Sequence, residues 1–164
     1  MDIPWQEKTR FREVCSFFHI LDMNRRNDLA PVRSLAREIG ALYVRTAPEL
    51  ERLCAATCPE CRENCCKRAT IWYDFRDMLY LCLGPGSPPE RQISKTQGVQ
   101  GYGCSHLAAH GCRLPRHCRP FVCTWYVCAA QKPLVTGSNL GGTVNKIKVL
   151  RKKMEDEFCR ITGA

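Results

Sequence analysis

Long apolar runs are missing from this chain of 164 residues. No stretch approaches the roughly 20 apolar residues that a membrane-spanning helix needs, so the sequence predicts no contact with a membrane. The opening residues, MDIPWQE, have neither the basic start nor the apolar run of a secretory signal peptide. We therefore expect a cytoplasmic protein in a reducing compartment.

Ordinary hydrophobic residues are also scarce, because the 45% of the chain that counts as hydrophobic includes 13 cysteines. A chain of this length can still bury a sizeable core. We expect a single domain over residues 1–164, held together in part by cysteine chemistry. The sequence has no internal repeat and no glycine-rich phosphate loop.

Acidic residues are outnumbered, since 25 Lys and Arg against 16 Asp and Glu give a formal charge of +9. Metal-bound thiolates carry negative charge, so this excess can balance a buried anionic centre. It is weak evidence for nucleic acid binding. We expect a protein docking or redox partner before a nucleic acid.

Cysteines are what the sequence has in abundance, and they fall into two groups. The first is the string CPECRENCC over residues 58–66, and the second contains Cys104, Cys112, Cys118, Cys123 and Cys128. Clustered cysteines in a reducing compartment indicate metal binding or catalysis before disulfides. Soft thiolates prefer zinc, copper(I) or iron–sulfur centres. Each group alone could close a four-sulfur site, and so could a mixture of the two.

The spacing within the first group predicts a local arrangement. If a helix opens at Pro59, Cys58 caps it, and Cys61 and Cys65 lie one turn apart on one face. Cys66 then points about 100° away from Cys65, as expected for 3.6 residues per turn. Adjacent ligands of this kind suggest two neighbouring metals or a multinuclear centre.

The order of the cysteines resembles the CxxCxxCC family, described as a zinc- or iron-chelating cysteine-cluster domain with eight characteristic cysteines. The resemblance covers residues 58–128 and includes the Arg119-Pro120 pair before Cys123. It implies eight metal ligands: Cys58, Cys61, Cys65, Cys66, Cys104, Cys112, Cys123 and Cys128. Cys118, Cys54 and His106 stay open as replacements for one of them.

Residues around the cysteines have two interpretations each. Arg119 either donates N–H groups to sulfur and offsets the charge of a bound cofactor, or pairs with a surface carboxylate. His106 and His110 could share a metal from one helix face, but a loop role is favoured. Asp74 and Asp77 could act as acid and base, but a solvated helix edge is favoured.

Four aromatic residues flank the cysteine segments, and we expect them to shield the centre and fill the core. They are Trp72, Tyr73, Trp125 and Tyr126.

Hydrophobic periodicity predicts helices in the N-terminal part, residues 1–53. Apolar stripes run over residues 11–21 and 32–42, and Thr46-Ala47-Pro48-Glu49 resembles a capping box that opens a third helix. Residues 84–103 are polar and glycine-rich, which predicts a long covering loop. A last stripe over residues 144–158 predicts a basic helix within the C-terminal part, residues 129–164.

The predicted fold class is therefore mainly α: a compact helical domain with a cysteine-rich, loop-heavy metal-binding half at residues 54–128. The predicted function is a cytosolic metalloprotein with one or two cysteine-ligated centres, iron–sulfur in preference to zinc, in a redox or metal-handling role. Similar cysteine patterns occur in the longer flagellin lysine N-methylases, which makes a protein-modifying enzyme one alternative. A zinc-stabilised interaction or nucleic-acid-binding module is another.

Overall fold

The computed structural model describes residues 8–59, 61, 65–68, 71–88, 95–98, 101–108 and 111–163. As predicted, the fold is mainly α-helical. The helices are α1 (Lys8–Asn24), α2 (Ala30–Thr57), α3 (Cys65–Arg68), α4 (Phe75–Leu83), α5 (Val122–Trp125) and α6 (Leu140–Thr162). The strands are β1 (Lys95–Gly98), β2 (Gly101–Cys104), β3 (Leu107–Ala108) and β4 (Gly111–Cys112). Short 3₁₀ helices cover Arg116–Cys118 and Lys132–Val135.

The core lies among the longer helices: α2 packs against α6 and α4, and α1 packs against α4. The predicted apolar stripes face this core. Phe11 and Phe18 of α1, Ile39 of α2, and Ile147 and Met154 of α6 are all nearly or completely buried. Full burial of a side chain of this size contributes about 1.5–3 kcal/mol relative to its exposure. The helical half therefore has an apolar core of its own.

The predicted third helix is wrong, because α2 continues without interruption through Pro48. The Thr46 hydroxyl does not cap a new helix. It donates back to the carbonyls of Leu42 and Tyr43, at 3.0 and 3.1 Å. Burial of Leu50 and Leu53 beyond the proline favours continuation of the helix over the local break that proline usually causes.

The predicted covering loop at residues 84–103 contains two strand segments. β1 pairs with β2 in antiparallel register, with Lys95 opposite Cys104. β3 and β4 form a second antiparallel pair, with Leu107 opposite Cys112. Because Leu107 follows Cys104 by three residues, the two pairs carry Cys104 and Cys112 to the same part of the fold.

A buried ion pair joins α4 to α6. The Asp74 side chain caps α4 by accepting a hydrogen bond from the Asp77 N–H at 2.7 Å. The Asp77 side chain in turn accepts a hydrogen bond from the Asp74 N–H. Arg151 binds both carboxylates, at 2.7 Å from Asp74 Oδ1, and Asp77 is only 3% exposed. The solvated helix edge predicted for these two residues is therefore wrong for Asp77, whereas the Asp74 side chain is 48% exposed.

The same ion pair reaches the chain segment before Cys123. Asp77 also accepts a hydrogen bond from the Phe121 N–H at 3.1 Å, and the Arg151 guanidinium lies 4.6 Å from the centre of the Phe121 ring. The helical core thus fixes the position of the segment that follows Arg119-Pro120.

The C-terminal helix α6 presents its lysines to solvent, as predicted, whereas Arg151 of the same helix is buried. Lys146, Lys148, Lys152 and Lys153 are all exposed. Over the described residues, no helix combines the length and the apolar character needed to cross a membrane.

Candidate metal centre

The first cysteine group begins at the end of α2. The helix ends at Thr57, and the Cys58 N–H closes its last turn by donating to the Cys54 carbonyl at 2.8 Å. Cys58 is thus a C-terminal cap, and the predicted helix start at Pro59 with Cys58 as N-terminal cap is wrong. A further turn follows, in which the Cys61 N–H donates to the Cys58 carbonyl at 3.2 Å.

The two cysteine groups meet at one cavity of about 460 Å³. This volume is typical of a small-molecule or cofactor pocket. All eight cysteines of the predicted ligand set line it: Cys58, Cys61, Cys65, Cys66, Cys104, Cys112, Cys123 and Cys128. Sulfur atoms from stretches about 40 residues apart in sequence therefore surround the same space.

The three candidate replacements are placed differently. Cys54 and His106 line the cavity, whereas Cys118, although it is among the described residues, is not part of its wall. Cys118 instead contributes its backbone carbonyl, which accepts a hydrogen bond from the Tyr73 hydroxyl at 2.7 Å. The ninth sulfur at the cavity thus comes from α2 and not from the second cysteine group.

His106 does not lie on a helix face. His106 lies in the turn before strand β3, and the Arg113 N–H donates to its carbonyl at 2.9 Å. His110 lies outside the described residues. The helical position considered for His106 is wrong, and the favoured loop position is found, at the wall of the cavity.

A hydrogen bond between two neighbouring thiols lowers the pKa of one and raises the pKa of the other. A hydrogen bond from Cys58 lowers the pKa of Cys54 to about 5, and the Arg116 guanidinium contributes to this effect. Partial burial acts in the opposite direction and raises the pKa. The same hydrogen bond, together with burial, raises the pKa of Cys58. This pair therefore holds one thiolate and one thiol near neutral pH.

The pKa values of Cys65 and Cys66 are separated in the same way. A hydrogen bond from Cys66 lowers the pKa of Cys65 to about 6, and the pKa of Cys66 rises in turn. Burial, reinforced by the nearby Cys112 and Cys104, raises the pKa of Cys123 to about 12. Because these thiols crowd one another, a bound cation would be needed to hold them all as thiolates.

Arg119 lines the cavity and pairs with a partly exposed carboxylate, which is the second of the two roles predicted for it. Its Nε donates to the Leu114 carbonyl at 2.8 Å, and its Nη2 lies 2.9 Å from Glu51 Oε1. Glu51 is about half exposed on its side chain. No hydrogen bond from Arg119 to sulfur is found among the described residues.

Arg116 makes a contact with sulfur, which was one of the two roles considered for Arg119. It is only 4% exposed, and its Nη2 lies 3.5 Å from Cys54 Sγ. Its other nitrogens bind Glu51 at 3.1 Å and the Cys123 carbonyl at 2.8 Å. The only signal in the sequence is that Arg116 is a second arginine close to Arg119, which does not distinguish the two roles.

Gln131 is a second residue that the sequence analysis missed. Its Nε2 lies 3.1 Å from Thr57 Oγ1 and 3.9 Å from Cys54 Sγ. Its Oε1 accepts a hydrogen bond from the Cys128 N–H at 3.4 Å. One side chain therefore connects the end of α2 with the last cysteine of the second group.

The aromatic residues at the cysteine segments divide between core and surface. Tyr73 is fully buried, whereas Trp125 and Tyr126 are 50% and 47% exposed and meet edge to face at 6.0 Å between ring centres. Tyr126 also lines the cavity. Of these aromatic residues, which all lie in the described ranges, only Tyr126 contributes to the cavity wall, and it is half exposed to solvent.

The sulfur atoms surround the cavity without converging on one point. Within the described ranges, no three His, Cys, Asp or Glu side chains are arranged so that they could hold one metal ion. A tetrahedral zinc ion with Zn–S distances of about 2.3 Å needs its sulfurs about 3.8 Å apart. A mononuclear site would therefore require a different arrangement of these side chains.

Comparisons with protein-family models, with curated proteins and with solved structures found no match to this chain.

Proposed function

We propose that this chain is a cytosolic metalloprotein whose cavity holds one or two cysteine-ligated centres in a redox or metal-handling role. One observation carries the proposal: eight cysteines from two separate stretches of sequence line the same cavity of about 460 Å³. Nine cysteines at one cavity are hard to explain by packing alone. A structural cysteine can sit anywhere in a core, whereas ligands must surround one space.

We propose iron–sulfur in preference to zinc. A multi-atom cluster fills the space between ligands, so its cysteines stand around a cavity and not against a single point. Nine of the described cysteines line this cavity, more than one four-sulfur site needs, which supports a multi-atom cluster or two neighbouring centres. The resemblance to iron- or zinc-chelating domains is compatible with either metal.

The charges at the cavity support an anionic centre. Arg119 lines it, and Arg116 is buried beside Cys54 and the backbone of Cys123. Both arginines share a single carboxylate, Glu51, which leaves positive charge to balance thiolates. Hydrogen bonds and nearby charge of this kind tune the reduction potential of iron–sulfur clusters.

The test is metal and sulfide analysis of protein purified without oxygen, together with its absorption spectrum. We expect iron and acid-labile sulfide in the native chain, and loss of both in Cys123→Ser. The matched control is Cys159→Ser, because Cys159 lies on α6 and does not line the cavity. Zinc without sulfide would overturn the choice of centre and keep the ligand set; protein without metal after reconstitution would overturn the proposal.

A further inference from the structure

Resting on the proposed function, we propose that Cys54, which lies outside the eight-cysteine set, is a further ligand of the centre that Cys58 binds. Arg116 and Gln131 are positioning residues that aim its sulfur at the cavity. Three observations support this assignment: the placement of Cys54 on α2, the two donors at its sulfur, and the contrast with Cys118.

Cys54 is placed where it can share a centre with Cys58. Cys54 and Cys58 are four residues apart at the end of α2, and both line the cavity. Side chains at this spacing lie on the same face of a helix, one turn apart. Their sulfurs are close enough to share a hydrogen bond. One centre can therefore accept both of them.

Two hydrogen-bond donors approach the sulfur of Cys54. Arg116 Nη2 and Gln131 Nε2 approach Cys54 Sγ at 3.5 and 3.9 Å. Each donor is itself anchored: Arg116 by Glu51 and the Cys123 carbonyl, and Gln131 by Thr57. Charge-assisted hydrogen bonds favour the anionic form of an acceptor. Anchored donors around a ligating atom are the usual way in which proteins orient metal ligands.

Cys118 differs from Cys54 in its position relative to the cavity. Cys118 belongs to the second cysteine group by sequence, yet its thiol is not part of the cavity wall within the described residues. Its position is fixed through its backbone, by the Tyr73 hydroxyl. The extra sulfur at the centre is therefore Cys54, a choice that the spacing of the cysteines does not reveal.

The first test leaves the chain unaltered. Protein purified without oxygen is treated with N-ethylmaleimide under native conditions, and the labelled cysteines are identified by mass spectrometry. We expect Cys54 to be protected as strongly as Cys58, while Cys118 and Cys159 are labelled. Removal of metal with a chelator and reductant should expose Cys54 to labelling. Labelling of Cys54 in the metal-loaded protein at the rate of Cys118 would overturn the inference.

The second test compares Cys54→Ser with Cys118→Ser as its matched control. We expect Cys54→Ser to lose metal and to change the absorption spectrum, and Cys118→Ser to keep both. A native chain that binds no metal would reject the proposed function itself. A loaded native chain with an indistinguishable Cys54→Ser variant would reject this inference alone. If Cys54→Ser does not fold, the labelling result decides.

A third variant tests the positioning role. Gln131→Met removes one N–H donor to the sulfur while keeping a side chain of similar length. We expect the metal to bind, but with about tenfold greater loss to a competing chelator, the lower end of such effects, and with a shifted reduction potential. An unchanged potential and unchanged chelator sensitivity would show that Gln131 does not act on Cys54.

Discussion

The helical half and the cysteine half of this molecule are built in different ways. Helices α1, α2 and α6 have 17, 28 and 23 residues and bury side chains such as Phe11, Ile39 and Met154 completely. The elements between Cys65 and Trp125, other than α4, have two to four residues, and every cysteine is only partly buried. Elements this short cannot bury enough apolar surface to be stable alone. The cysteine half therefore depends on contacts from outside itself.

Some of those contacts come from the helical core. Tyr73 binds the Cys118 carbonyl, Asp77 binds the Phe121 N–H, and the end of α2 supplies Cys54 and Cys58. These links fix the edges of the cavity. On our proposal, the remaining cohesion comes from the bound centre, because metal–thiolate bonds at such sites contribute directly to folding.

The largest expected effect is loss of order in the cysteine half when the metal is removed. After treatment with chelator and reductant, amide hydrogen exchange in residues 111–128 should accelerate by at least about 100-fold, since local opening then costs little free energy. Exchange in α6 should change far less. Equal acceleration in both regions would mean that the two halves unfold together, and no acceleration in either would contradict a structural role for metal.

The next largest effect concerns the buried ion pair of the helical half. Arg151→Met leaves Asp77 buried without its charge partner and should lower the free energy of unfolding by about 3–5 kcal/mol. Lys146→Met is the control, because the Lys146–Glu38 pair is exposed and such pairs contribute about 0–1 kcal/mol. Both are measured by chemical denaturation of the metal-loaded protein. Equal effects from the two variants would show that burial does not distinguish the pairs.

A smaller effect, of opposite sign, is expected at Pro48 inside α2. Pro48→Ala allows a hydrogen bond to the Val44 carbonyl and should raise the free energy of unfolding by about 1–3 kcal/mol. The gain is reduced because proline also restricts the unfolded chain. Thermal and chemical unfolding would measure it, and a lower stability would mean that Pro48 shapes α2 in a way that the packed helix requires.

The smallest effect concerns a single contact between the two halves. Tyr73→Phe removes the hydroxyl that donates to the Cys118 carbonyl and should cost about 1 kcal/mol, with the aromatic packing retained. Metal content should stay at the native level. Loss of metal in this variant would show that the link also shapes the cavity, and would weaken the distinction between the two halves.

Local periodicity accounts for the part of the fold that could be predicted. Apolar residues three and four positions apart, such as Phe11 and Phe18 or Ile147 and Met154, specify which face of a helix is buried. The β1–β2 pair was not predicted, because the polar and glycine-rich residues 84–103 carry no alternating pattern. The β3–β4 pair was not predicted because strands of two residues are too short to show one. The length of α2 was also misjudged, since tertiary burial of Leu50 and Leu53 outweighed the local effect of Pro48.

Residue types and their order determined, from the sequence alone, a mainly α-helical chain with two groups of cysteines, and the resemblance to the CxxCxxCC family implied which eight of them are candidate ligands. Only the tertiary structure decided that Cys54 and not Cys118 stands at the cavity, and that Arg116 and not Arg119 contacts its sulfur. It likewise decided that Asp77 is buried against Arg151. The physical reason is that helix faces follow from spacing along the chain, whereas the approach of a donor to a sulfur depends on how distant segments pack.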